Sequence, residues 1–215
     1  MKNGNKYKVV LVDDHAAVRA GFRLLLESTG EVEVIAEMES GEAINQQIGK
    51  INPDLIIMDL SMQGMGGLEA IRRVRIKNEK MKILVFTMHE NIAFVEQALE
   101  AGANGYITKN NAANMLLDAI KHVIAGETYV EARLNEQLSM RQNLGLGTVL
   151  GSLTRREFQI FCRFAEGLNV QEIADELSLS VKTVANYQTQ IKEKLGITST
   201  AELVRLALAN GVIQM

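Results

Sequence analysis

The chain has 215 residues, 47% hydrophobic and 23% charged, and carries a formal net charge of −3 at pH 7. That length supports one large or two small domains with real cores, and the composition is that of an ordinary globular protein. A lone cysteine, Cys162, excludes an internal disulfide, and the opening VVLV run, cut short by Asp13 and Asp14, is too brief for a signal sequence or membrane span, so a cytoplasmic protein is expected.

In chain order, VVLV (9–12) is a β-branched run and residues 16–28 carry helical spacing. The alternation then repeats: strands at 32–38, 55–60, 82–88 and 105–109, helices at 42–51, 68–78, 91–102 and 113–126. Five strand–helix pairs predict an α/β fold, a doubly wound five-stranded parallel sheet covered on both faces. Gly102 and Gly126 are placed to end their helices.

Residues 127–151 change character. A helix fits 131–143, and the GLGTVLG tail reads as a linker. From residue 152 the pattern is helical only, which predicts a small all-α domain of four helices over 152–215, after a first domain over 6–126. Thr154 with Glu157, and Ser199 with Glu202, form capping-box pairs. Phe158, Phe161, Cys162, Ala165 and Leu168 share one stripe, so the Cys162 thiol is expected to be buried. Ser180 caps a helix whose Val181, Val184, Ile191 and Leu195 are expected to face the core. Seven basic and seven acidic residues balance from 152 onward, so the negative charge of the chain lies before that point.

Ligands of open parallel sheets bind beyond the carboxyl ends of the strands. The sequence places Asp13 and Asp14 after the first strand, Asp59 after the third, Thr87 at the end of the fourth and Lys109 after the fifth. Three converging carboxylates repel one another unless a cation is near. A hard divalent ion such as Mg²⁺ suits such oxygen donors. One carboxylate could then attack a phosphoryl group, with Lys109 and the Thr87 hydroxyl on its oxygens. Each residue alone is ordinary: an Asp after a strand is usually a loop or cap residue.

The stretches DDH (13–15), DLSM (59–62), Thr87 and GYITK (105–109) resemble the receiver domain of two-component response regulators over about residues 6–126. The resemblance implies that Asp59 accepts a phosphoryl group from a sensor histidine kinase. It implies that Asp14, Asp59 and the Ser61 backbone carbonyl hold Mg²⁺, with Asp13 acting through water. It also implies that Thr87 moves onto the phosphate and Tyr106 swings inward behind it; the plainer reading of Tyr106 is a partly buried strand aromatic. His89 reads as a solvated loop residue, or else one that orders attacking water, and His15 as a loop or cap residue rather than a metal ligand.

In the second domain LTRRE (153–157), EIA (172–174), LSLSVKTV (177–184) and KLG (194–196) resemble the LuxR-type helix-turn-helix domain of NarL/FixJ response regulators. Such a domain lays its second helix in the major groove of double-stranded DNA, commonly as a homodimer on a two-fold site. The candidate contacts are Lys182, Thr183, Asn186, Tyr187, Gln190, Lys192 and Lys194. Asn and Gln can pair bidentately with adenine, and the lysines suit phosphate. Gln188 and Thr189 are polar as well, so the reading face stays open. Tyr187 stands where the family often has His, and Ala185 where it often has a basic residue. The last helix carries Leu203, Leu206, Ala207 and Leu208; the resemblance implies a dimer contact there, and core packing is the alternative.

The same residues admit two other readings: a regulator that works without phosphorylation, and a Mg²⁺-dependent phosphohydrolase. The phosphohydrolase usually carries a second Asp two residues after its nucleophile, where this chain has Ser61. One departure lies in the site itself. Response regulators commonly carry Pro four residues after the phosphoacceptor, and this chain carries Gln63. Gln restores a backbone N–H and, with Gly64, Gly66 and Gly67 nearby, is expected to loosen the loop.

Overall fold

The computed structural model describes residues 6–143, 149–210 and 212–213. The chain divides into two compact units, Met1–Glu90 with Ala98–Arg133, and Asn91–Gln97 with Leu134–Met215.

Residues 7–125 alternate as expected: β1 (Tyr7–Val12), α1 (Ala16–Ser28), β2 (Val32–Met38), α2 (Gly41–Gln47), β3 (Leu55–Met58), α3 (Gly67–Lys77), β4 (Ile83–Thr87), α4 (Ile92–Ala101), β5 (Gly105–Thr108) and α5 (Ala112–Ala125). The sheet has six strands, not five. Its order is β2-β1-β3-β4-β5-β6, and every pairing is parallel. The added strand, β6, is Tyr129–Val130 and pairs with Gly105 and Tyr106. Two residues show no period, so the sequence pattern could not reveal it. Val9, Leu11, Leu55, Ile57, Leu84, Phe86 and Ile107 form a core with Leu26 of α1 and Leu116, Ala119, Ile120 and Val123 of α5. The alternate residues Val10, Ile56, Met58, Ile83 and Val85 are equally buried and point to the opposite face.

Register fixes where the strands end. Val12 pairs with Met58, Met58 with Val85, and Thr87 with Thr108. The residues that follow, Asp13, Asp59 and Lys109, therefore leave the sheet at one edge beside Thr87. Because β1 lies between β2 and β3, the crossovers reverse direction there, which opens the crevice that such folds use for ligands. Gly102 and Gly126 follow α4 and α5 with φ of 103° and 98°, as helix-ending glycines do.

After β6 comes α6 (Ala132–Asn143), close to the helix expected over 131–143. Residues 144–148 of the expected linker lie outside the described residues. The second unit then contains α7 (Arg155–Ala165), α8 (Val170–Glu176), α9 (Val181–Leu195) and α10 (Thr200–Ala209). Thr154 with Glu157 and Ser199 with Glu202 make complete capping boxes, and Asn169 with Glu172 makes a third. Gly196 closes α9 in the left-handed region at φ 66°. The core holds Phe158 and Phe161, stacked with centroids 6.3 Å apart, together with Ile173, Ala174, Val184, Ile191, Leu203 and Ala207. Cys162 is buried among them, and that burial pushes its thiol pKa up.

One core expectation fails. Val181 is 44% exposed and Leu195 only half-buried. At about 100° per residue, Val181 sits at the margin of the Val184–Ile191 stripe and in the first turn, beyond the packed part of the helix.

Candidate functional site

Asp59 is the first residue after β3, and its side chain is 3% exposed. The loop beyond it folds back tightly. A Cβ on Gly67 would lie 2.2 Å from the Asp59 carbonyl oxygen and 2.6 Å from the Leu60 Cα, so only glycine lets α3 begin this close to the acid. Lys109 Nζ donates to Asp13 Oδ2 at 2.6 Å and to Asp59 Oδ2 at 2.7 Å, and its side chain is 8% exposed. Burial pulls the lysine pKa down, but the charges and hydrogen bonds of Asp59 and Asp13 outweigh it and hold it above the ordinary 10.5. Asp14 pairs with His15 Nδ1 at 2.7 Å and accepts the Gln63 backbone N–H at 3.2 Å. His15 is the residue before α1, as a cap residue would be, although its side chain makes no cap hydrogen bond.

Ligand atoms of Asp13, Asp14, His15 and Asp59 lie within 4.8 Å of one another. Lys109 bonds two of the three carboxylates and Asp14 pairs with His15, so the cluster gathers hard oxygen donors with one lysine among three acids. That donor set fits a divalent cation of the Mg²⁺ type. The Thr87 hydroxyl is a second sign of an incomplete site: it is fully buried and, among the described residues, has no hydrogen-bond partner.

Tyr106 is fully buried and already inside, its hydroxyl donating to the His89 carbonyl at 2.8 Å. Burial, then the charges of Asp59, Glu131 and Glu90, raise its pKa well above 10.0. His89 is not a solvated loop residue. It is half-buried, and its Nε2 lies 2.9 Å from Ser61 Oγ. Backbone N–H groups tie down the loop after Asp59. Ser61 donates to Asp59 Oδ1 at 3.2 Å, Met65 to Glu42 Oε1 at 2.9 Å and Gly67 to the Leu60 carbonyl at 3.1 Å. Gln63 uses the very N–H that a proline would lack.

Sequence reasoning missed two acids near this edge. Glu131 is 4% exposed, and its Oε2 accepts both the Thr108 N–H at 3.2 Å and the Thr108 hydroxyl at 2.7 Å. Glu90 accepts Asn110 Nδ2 and an Arg133 N–H, both at 2.6 Å. No local pattern marks either acid.

The second candidate region is α9. Lys182, Asn186 and Gln190 are exposed, and Ala185, Thr189 and Glu193 are exposed beside them. Tyr187, Gln188 and Lys192 are half-buried. Thr183 belongs to the helix cap, with its hydroxyl 2.7 Å from Ser180 Oγ. Lys194 donates to Glu157 Oε2 at 2.6 Å. In α10, Leu203 and Ala207 are core residues, while Leu206 and Leu208 are half-buried. Among the described residues, no helix is long and apolar enough to cross a membrane.

A doubly wound sheet with a lysine-bridged acid cluster at its carboxyl edge, followed in the chain by the helices α7 to α10, defines a class of two-part signalling regulators. Residues 9–121 match the response regulator receiver domain, and residues 151–207 match the bacterial regulatory proteins of the luxR family. The chain belongs to the LuxR-family two-component response regulators. Among its relatives, it is 38% identical over 210 residues to the transcriptional activator protein ExaE of Pseudomonas putida, covering 96% of this chain and 98% of that one. It is 36% identical over 208 residues to the response regulator GacA of Pseudomonas aeruginosa, covering 96% and 97%. Among solved structures it resembles RcsB of Salmonella enterica serovar Typhimurium bound to a promoter in the presence of the phosphomimetic BeF3⁻. There the TM-score is 0.72 at 28% identity, over 95% of this chain and 100% of that one.

Proposed function

We propose that the chain is a phosphorylation-controlled transcription regulator in which Asp59 is the phosphoacceptor. The observation that carries this reading is Lys109 bridging Asp13 and Asp59 beside the buried Thr87 hydroxyl, which has no partner among the described residues. An Asp59 carboxylate oxygen attacks the phosphorus of a phosphohistidine on a sensor histidine kinase. The phosphorus–nitrogen bond breaks, and its electron pair stays with the kinase imidazole. Lys109, held charged by its two acids, neutralises the arriving phosphoryl oxygens, and the Thr87 hydroxyl turns to donate to one of them. Asp13, Asp14, Asp59 and the Ser61 carbonyl would hold Mg²⁺, which supplies positive charge to the transferring group when bound. Tyr106, already inward, backs the loop through its bond to the His89 carbonyl.

The exposed stripe of α9 is the proposed DNA surface. Asn186 and Gln190, with Thr189 beside them, offer hydrogen bonds to base edges, and Lys182 offers charge to phosphate. Lys194 is engaged by Glu157 and contributes less. The relatives support this assignment, since RcsB has been solved on promoter DNA. RcsB dimers on DNA support a homodimer for the phosphorylated chain. Its place of work is then the cytoplasm, where the DNA lies. A turnover phosphohydrolase is disfavoured, because Ser61 supplies no second acid and its hydroxyl is taken by His89.

The test is incubation of the full chain with Mg²⁺ and acetyl phosphate. Wild type should gain one acid-stable, base-labile phosphate, and Asp59→Asn none. Equal labelling of the two would refute the assignment.

A further inference from the structure

We propose that Glu131 is a positioning residue for Lys109, so that the working phosphorylation site extends past α5 into the segment Tyr129–Arg133. The inference rests on the Asp59 phosphoacceptor reading above.

Thr108 is the last residue of β5 and the immediate neighbour of Lys109. On one side β5 is paired with β4 up to Thr87↔Thr108. On the other side β6 is only two residues long, and its ladder stops at Tyr106↔Val130. The Thr108 N–H lies beyond the end of that ladder. Glu131 takes it over: its backbone N–H donates to the Tyr106 carbonyl at 3.1 Å, and its carboxylate accepts the N–H and the hydroxyl of Thr108. Thr108 is fully buried and Glu131 nearly so, leaving little access for water to substitute. The carboxylate thus continues the strand pairing by one residue and sets the direction in which the chain leaves β5.

That direction matters because Lys109 must span two acids at once. Its ammonium sits within 2.7 Å of both Asp13 and Asp59, so a shift of the Lys109 backbone disturbs two contacts at once. Misplacing a catalytic group by about an ångström can cost up to about a hundredfold in rate. Two further bonds fasten the same stretch. Asn110 next to Lys109 and Arg133 two residues past Glu131 meet on Glu90. The Tyr129–Arg133 segment therefore clamps the exit of β5, although it lies beyond the receiver motifs.

The experiment measures the rate of Asp59 phosphorylation by acetyl phosphate at saturating Mg²⁺ in the full chain, with thermal midpoints recorded in parallel. Glu131→Ala should slow labelling by about tenfold or more. Glu131→Gln keeps an acceptor oxygen for Thr108 and should label within about threefold of wild type, which a role for the negative charge does not explain, while Thr108→Val separates the hydrogen bond from side-chain bulk. Thr108→Val, which preserves shape and removes only the hydroxyl, should fall between them, and it carries the test if Glu131→Ala does not fold. Wild-type labelling rates in Glu131→Ala and Thr108→Val, whatever their melting temperatures, would overturn the proposal; so would a Gln variant as slow as the Ala variant. A wild-type chain that gains no phosphate would sink the phosphoacceptor reading instead.

Discussion

Replacing Lys109 with Met tests the charge arrangement of the site directly. The ammonium lies 2.6 Å and 2.7 Å from two carboxylates whose side chains are 9% and 3% exposed. At an effective dielectric of about 20, each contact attracts by roughly 6 kcal/mol. Desolvating three charged groups offsets most of that, at several kcal/mol per ion. Deleting the lysine removes the attraction and leaves the buried acids uncompensated, which typically costs about 3–5 kcal/mol. For a unit of this size the melting temperature in chelator should fall by roughly 10–20 °C. The lysine's pKa is raised on folding, so its contribution is complete below its ordinary 10.5 and is lost only as pH rises through the folded value. The gap between wild type and variant should therefore stay constant from about pH 7 to 9. Added Mg²⁺ should raise the variant's midpoint more than that of wild type, because no ammonium competes for Asp13 and Asp59. Calorimetric melting in EDTA and in Mg²⁺ reads both quantities. A variant melting within about 2 °C of wild type in chelator, or equal Mg²⁺ increments, would refute the reasoning.

Gln63→Pro removes the N–H that reaches Asp14 at 3.2 Å and narrows the unfolded ensemble; these effects oppose each other, each at about 0.5–1.5 kcal/mol. Net stability should shift by less than about 1 kcal/mol, measured by urea titration; a larger loss would mean that the loop depends on that bond. In α9, Lys182→Ala should weaken binding evenly across DNA sequences and reduce the salt slope by about one, whereas Asn186→Ala should cost about 1–3 kcal/mol on the preferred site only. Binding titrations on two DNA sequences at several salt concentrations separate these outcomes. Glu157 accepts the Thr154 N–H and Lys194, each at about 2.6–2.7 Å, and despite burial pulling the other way those bonds hold its pKa below 4.5. Its contribution is present above pH 4.5 and lost as pH falls through the folded value, so Glu157→Gln should cost the helical unit about 1–2 kcal/mol at pH 7 and less near pH 3. Denaturation of both chains at the two pH values measures this, and an undiminished gap at pH 3 counts against the ion pair.

The acids, Thr87 and Lys109 were legible because each closes a β-branched run, and a parallel sheet carries run endings to one edge regardless of the sequence between them. The Thr154 and Ser199 capping boxes were legible because their partners stand three residues apart; Asn169 with Glu172 has the same spacing but lacks the Ser/Thr of the usual motif. Glu131 and His89 were not, because their bonds join residues 23 and 28 positions apart and leave no local period. Val181 misled because a periodic stripe says nothing of where packing along a helix stops. Gln63 shows the same limit inside a motif. Compared with proline it reads as a loss of stiffness, yet its N–H is spent on Asp14, and neighbouring amides spend theirs on Asp59 and Glu42. A departure from a family pattern removes one constraint and can admit another that only the folded chain displays. The two-residue β6 follows the same logic at larger scale. Too short to announce itself, it brings Glu131 beside Thr108, and so the edge of the receiver lies farther along the chain than its motifs do.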